Sequence, residues 1–126
     1  MKIDGAIGPM TERFVERVFE KAKLNEASLI IIELDTPGGV SSSTREIVQH
    51  FYQSSVPIAV YVSPAGGRAA SAGTFLTIAA HVAAMAPNSY NSSSLLILAT
   101  IAINSYTSSS QHIVATIAIN SYNNSS

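Results

Sequence analysis

Residues 28–39, Ser28-Leu29-Ile30-Ile31-Ile32-Glu33-Leu34-Asp35-Thr36-Pro37-Gly38-Gly39, decide how the rest of the chain is read. The near-continuous apolar, largely β-branched run over 28–35 is the pattern of a strand buried on both faces of a parallel sheet. Thr36-Pro37-Gly38-Gly39 ends it, and Ser41 to Thr44 can cap a following helix with Ile47, Val48 and Phe51 as its apolar stripe. Upstream, Phe14, Val15, Val18, Phe19 and Ala22 recur at helical spacing behind Pro9, which predicts an amphipathic helix over residues 10–24. Met1 to Asp4 reads as the tail of a strand whose beginning is missing.

Downstream, Val56 to Val62 is a second buried-type strand, and a loop holding Pro64, Gly66 and Gly67 follows it. A small-residue helix from about Ala69 to Ala80 leads to a third short strand at Val82 to Met85. Strand, helix, strand, helix, strand with short connections implies right-handed crossovers and a parallel sheet covered by helices. The expected fold class is therefore α/β.

Beyond Pro87 the character changes. Asn91 to Tyr106 (NSSSLLILATIAINSY) is followed directly by Thr107 to Tyr122 (TSSSQHIVATIAINSY), a tandem repeat of 16 residues. Each unit is an apolar stretch of high β-propensity closed by an Asn/Ser/Tyr turn. That is the pattern of a hairpin or meander, and also of a segment prone to self-association.

Charge follows the same division. Every Lys, Arg, Asp and Glu lies at or before Arg68, and no lysine follows Lys23. The formal net charge of −1 argues against nucleic acid as a partner, which would call for an excess of Lys and Arg. With no cysteine, disulfides, thiol catalysis and cysteine-based zinc sites are excluded. The three histidines, His50, His81 and His112, lack metal-ligand spacing, so neither a metal nor a cofactor is expected. No signal peptide is evident, and no apolar stretch reaches the ~18–20 residues that span a bilayer.

Two segments can build a catalytic site together. Asp35-Thr36-Pro37-Gly38-Gly39 lies at the C-terminal end of a parallel strand, where open α/β sheets place their ligands. Consecutive glycines can bring backbone N–H groups close to a substrate carbonyl, as an oxyanion hole requires. Gly66-Gly67-Arg68-Ala69-Ala70-Ser71-Ala72-Gly73-Thr74 also follows a strand and opens a helix, where free amides and the helix dipole favour an oxyanion. Taken singly, the first is a tight turn and the second a helix cap; in this order on successive strand–helix units they are far more specific. Arg68 can contact substrate or pair with Asp35, and a solvated loop arginine is the simpler account. Asp35 reads as a brace for the glycine loop, His81 as a framework residue and His50 as a surface one.

Residues 3–22 (IDGAIGPMTERFVERVFEKA), 29–49 (LIIIELDTPGGVSSSTREIVQ) and 56–87 (VPIAVYVSPAGGRAASAGTFLTIAAHVAAMAP) resemble the N-terminal protease domain of NfeD-type membrane-bound serine proteases. These are partners of stomatin-like proteins and distant relatives of ClpP and signal peptide peptidase A. The resemblance implies a ClpP/crotonase-like β-α-β core over residues 1–88, incomplete at its C-terminal side and followed by the repeat tail, 89–126. It implies an endopeptidase with a Ser-Lys dyad that cuts hydrophobic peptide segments, a stomatin-like protein among them. It also implies a membrane-associated family that forms homo-oligomers, dimers or larger. By position, Ser71 matches the nucleophile, the amides of Gly39 and Ala72 match the oxyanion hole, and Gly38, Gly67 and Arg68 fall on the substrate side. The dyad lysine has no counterpart here. His112 lies about as far downstream of Ser71 as that lysine lies from its serine, but inside the repeat, where its counterpart is Leu96. A non-catalytic oligomerisation or peptide-binding module is the rival expectation, and acyl-CoA chemistry on the same fold is a further one.

Overall fold

The computed structural model describes residues 1–91; the repeat tail and His112 lie outside the described residues. Strands β1 (Lys2–Asp4), β2 (Ile30–Asp35), β3 (Ile58–Val62) and β5 (Val82–Met85) form one parallel sheet in the order β1-β2-β3-β5. Helices α1 (Pro9–Leu24), α2 (Ser41–Gln53) and α3 (Ala72–Ala79) provide the crossovers. A small second sheet pairs β4 (Arg68–Ala69) with β6 (Tyr90–Asn91), also in parallel. The α/β class with a parallel sheet is as the alternation of elements implies.

Local chemistry explains the element ends. Pro9 opens α1 at a position whose N–H would be unpaired anyway. The Gly8 N–H ahead of it donates to Thr11 Oγ1 at 3.3 Å. At α2 the cap is Val40 rather than a serine, and Thr44 Oγ1 donates back to the Val40 carbonyl at 2.9 Å. The expected helix from Ala69 is shorter, because Arg68 and Ala69 are drawn out as β4 and α3 begins only at Ala72.

The core lies between one face of the sheet and the helices. Ile30, Ile32 and Leu34 of β2 and Ile58, Val60 and Val62 of β3 pack there with Val15, Phe19, Ile47, Phe51 and Leu76. The Phe19 and Phe51 rings stack at 5.6 Å and join α1 to α2. The alternate residues turn the other way: Ile31 is 52% exposed and Tyr61 37%. Burial of β2 on both faces is thus not found among the described residues, where only one face of the strand is covered. Phe14, read as part of the α1 stripe, is 43% exposed on the outer side of the helix.

At the N-terminal ends of the strands, His81 ties β3 to β5. Its backbone N–H donates to the Ile58 carbonyl at 3.0 Å, and its Nδ1 accepts from the Ile58 N–H at 3.1 Å. The side-chain bond supplies a partner to an amide at the start of a buried strand. His81→Ala is expected to cost about 1 kcal/mol of stability, the usual net worth of such a bond. The urea midpoint reads this directly, and an unchanged midpoint would deny the staple any role.

Candidate active site

Strands β2 and β3 hand the chain to loops at the same end of the sheet, and these two loops are sewn together. The Thr36 N–H donates to the Arg68 carbonyl at 2.7 Å, and the Ala70 N–H donates to the Thr36 carbonyl at 3.1 Å. Thr36 thereby pairs with Ala69 as a single parallel bridge. Next to it, Asp35 Oδ1 accepts from the Arg68 backbone N–H at 3.0 Å. Asp35 thus meets Arg68 through its main chain, and the arginine side chain stands exposed.

A third segment, the β1–α1 loop, closes on the glycine pair. The Ile7 N–H donates to the Gly38 carbonyl at 2.9 Å, and the Val40 N–H donates to the Ile7 carbonyl at 2.9 Å. Gly38 adopts φ +119°, open to glycine but strained for other residues. A Cβ there would lie 2.9 Å from Ser71 Cβ, so the absent side chain is what lets the serine approach the loop. A Cβ on Gly39 would drive into the Ile7 backbone, 2.6 Å from its nitrogen. Both glycines are therefore required by close approach.

Ser71 sits at the cap position of α3 with φ 50° and ψ −109°. This conformation is sparsely populated for a residue with a side chain and is held only where the surroundings impose it. The imposition is visible on either side. The Gly73 N–H donates to the Ala70 carbonyl at 2.9 Å, and the Thr74 N–H donates to the Ser71 carbonyl at 3.0 Å. Thr74 Oγ1 reaches back to the Ala69 carbonyl at 3.1 Å. Gly73 lies against the bridge, where a Cβ would come within 2.6 Å of Thr36 Cγ2 and 3.2 Å of Ala69 Cβ. Ser71 and Gly39 are both exposed. The N–H groups of Gly39 and Ala72 donate to no acceptor among the described residues.

The sequence-predicted residues separate into two groups. Gly38 and Ser71 meet directly, and Gly39 and Ala72 are their immediate chain neighbours. Gly67 is committed to the fold: its N–H donates to the Pro64 carbonyl at 2.7 Å, and its carbonyl accepts from the Tyr90 N–H at 2.8 Å. Arg68 stands opposite Tyr90 in the β4–β6 register. The described bases lie elsewhere. Lys21 and Lys23 end α1, His50 ends α2 and His81 starts β5, all at the end of the sheet away from Ser71. Lys2, on the edge strand, contacts Asp4 at 3.5 Å. Among the described residues no group of three or more His, Cys, Asp or Glu could hold a metal ion.

Thr36 was not singled out by its residue type, yet it joins the two loops directly and bonds the Gly38 carbonyl that the third segment also holds. The signal that could have found it is a threonine two residues before a glycine, the spacing of a hydroxyl-closed turn.

A parallel sheet with a glycine-pair loop set against a serine at a helix start is the arrangement of a ClpP-like fold. The chain is similar to the ClpP1 of Listeria monocytogenes at a TM-score of 0.64 over 96% of its length and 64% of that chain, with 18% identity. It belongs to the family described as NfeD1b, N-terminal domain, whose pattern matches residues 2–113. It is homologous to the membrane-bound protease PH1510 of Pyrococcus horikoshii, 43% identical over 88 residues, which are 70% of this chain and 20% of that protein. The chain thus spans about a fifth of that relative's length. It is also similar to a solved structure of the 1510-N membrane-bound stomatin-specific protease, a lysine-to-alanine mutant in complex with a substrate peptide. There the TM-score is 0.71 and the identity 31%, covering 92% of this chain and 63% of that one. Among the described residues no helix is long and apolar enough to cross a membrane.

The contact between α3 and the bridge has a measurable consequence. Gly73→Ala pushes a methyl into Thr36 Cγ2 and is expected to lower stability by about 1–3 kcal/mol, the range for overpacking a tight interior. Thermal unfolding followed by circular dichroism checks this; a neutral substitution would mean that α3 can move off the bridge freely.

Proposed function

We propose that this chain carries the serine-endopeptidase chemistry of an NfeD-type protease and acts on hydrophobic peptide segments. The observation that supports it most is the conjunction at Ser71: an exposed serine on a backbone held at φ 50°, a side-chain-free Gly38 against it, and the Gly39 and Ala72 amides, which have no acceptor among the described residues. Ser71 Oγ attacks the scissile carbonyl carbon, and a base takes its proton. The carbonyl oxygen becomes an oxyanion that accepts hydrogen bonds from the Gly39 and Ala72 N–H groups. Collapse of the tetrahedral intermediate breaks the C–N bond as the protonated base gives its proton to the leaving amine. The acyl-serine is then hydrolysed by a water whose proton passes through the same base to Ser71 Oγ. In this reading exposed Arg68, paired with Tyr90 in the β4–β6 register, lies on the substrate side.

The proton acceptor in this reading is His112, which lies within the span matched by the family and outside the described residues. A neutral imidazole can take the place a lysine holds in a Ser-Lys pair, since either needs only a free lone pair within reach of the hydroxyl. The homology supports a matching reading of the partners. The substrate is a hydrophobic segment, such as one from a stomatin-like protein, and the working form is a membrane-associated homo-oligomer.

The test is covalent labelling by a fluorophosphonate together with cleavage of a hydrophobic peptide. Labelling is expected in the parent and absent in Ser71→Ala, with cleavage falling on the order of 10⁴–10⁶-fold. His112→Ala is expected to abolish cleavage while the chain stays folded. Peptide bound but neither cleaved nor able to protect Ser71 would replace the protease reading with that of a binding module. Cleavage unaffected by His112→Ala would remove that residue from the site.

A further inference from the structure

Thr36 makes more contacts in the site than its place in the bridge requires. It is fully buried, and its hydroxyl forms two bonds with one residue. Thr36 Oγ1 accepts from the Gly38 N–H at 3.1 Å and donates to the Gly38 carbonyl at 3.2 Å. That carbonyl takes a second donor, the Ile7 N–H, at 2.9 Å. The Gly38 carbonyl and the Gly39 N–H belong to one planar trans peptide unit, in which the two groups point in opposite directions. Whatever fixes the first therefore aims the second.

The unit needs fixing. Its orientation is set by ψ of residue 38 and φ of residue 39, and both residues are glycines, which rotate through regions closed to others. A half-turn of the plane would point a carbonyl oxygen, rather than an N–H, to the side on which Ser71 reacts.

From this juxtaposition we propose that Thr36 is a positioning residue, whose hydroxyl holds the Gly38–Gly39 peptide in the one orientation that presents the Gly39 N–H as an oxyanion donor. The catalytic consequence rests on the protease reading above; the orientation itself does not. The hydroxyl also uses up the Gly38 N–H, which assigns donation to Gly39 alone within this loop. The Thr36 methyl has a separate task against Gly73, so hydroxyl and methyl can be tested apart.

The experiment compares Thr36→Val, which keeps the shape and removes the hydroxyl, with Thr36→Ser, which keeps the hydroxyl and removes the methyl. In the full-length protein labelled with ¹⁵N, the residual dipolar coupling of the Gly39 amide reports the direction of its N–H. The coupling is expected to match the parent in Thr36→Ser. In Thr36→Val it is expected to change sign or collapse towards an average, while couplings within β2 and β3 stay fixed. Fluorophosphonate labelling of Ser71 is expected to slow at least about 10-fold in Thr36→Val and to stay within about threefold of the parent in Thr36→Ser, part of the effect of losing an oxyanion donor outright. A parent-like coupling in Thr36→Val overturns the proposal. So does a changed coupling in Thr36→Ser, which decides the matter even if the valine variant does not fold. A parent chain that is never labelled counts against the protease reading, and the dipolar couplings still decide what Thr36 does.

Discussion

The pairing of Thr36 with Ala69 is the constraint on which the rest of the site depends. Two short main-chain bonds, at 2.7 and 3.1 Å, hold the residue after β2 against β4 once the main sheet has stopped. With that distance set, the Ala70 carbonyl is placed to receive Gly73, α3 can start only at Ala72, and Ser71 is left at the corner in a conformation it would not choose alone. The strain at the serine is thus a product of pairing elsewhere. It needs no special sequence at the serine beyond small neighbours.

The smallness of those neighbours has a direct physical meaning. Gly38, Gly39 and Gly73 each occupy a place where a methyl would meet, respectively, Ser71, the Ile7 backbone and Thr36. Three backbones and one helix converge within van der Waals contact, and only glycine allows them to. The β1–α1 loop thereby becomes part of the site, although it carries no reactive side chain. Its Ile7 main chain is the wall against which the glycine pair is pressed.

How much of this could be read from the sequence depended on the range of the interaction. The strand over 30–35, the helix stripe of Ile47 and Phe51, and the third strand at Val82 to Met85 are encoded in local periodicity and stand where the pattern put them. The proximity of Gly38 to Ser71 was legible because both loops follow parallel strands and must open at the same end of the sheet. The importance of Thr36 and Ile7 was not, since neither is chemically conspicuous and each acts through backbone bonds to residues distant in sequence. The covered and uncovered faces of β2 were misjudged for a related reason. A run of three isoleucines looks the same whether one side is packed or both, and only Ile31 at 52% exposure tells them apart. At Arg68 the bond to Asp35 is made by the backbone N–H, which any residue could supply, while the side chain is exposed as a solvated loop arginine would be.

The bonds that set the two loops against each other join stretches far apart along the chain, as Asp35 and Arg68 do across 33 residues. No fragment holding only one of the loops can therefore contain even a weakened version of the site. Closing such long loops costs entropy that is regained only when the sheet and its helices form together. The geometry at Ser71 is in this sense a collective property of the folded domain, formed with it and lost with it.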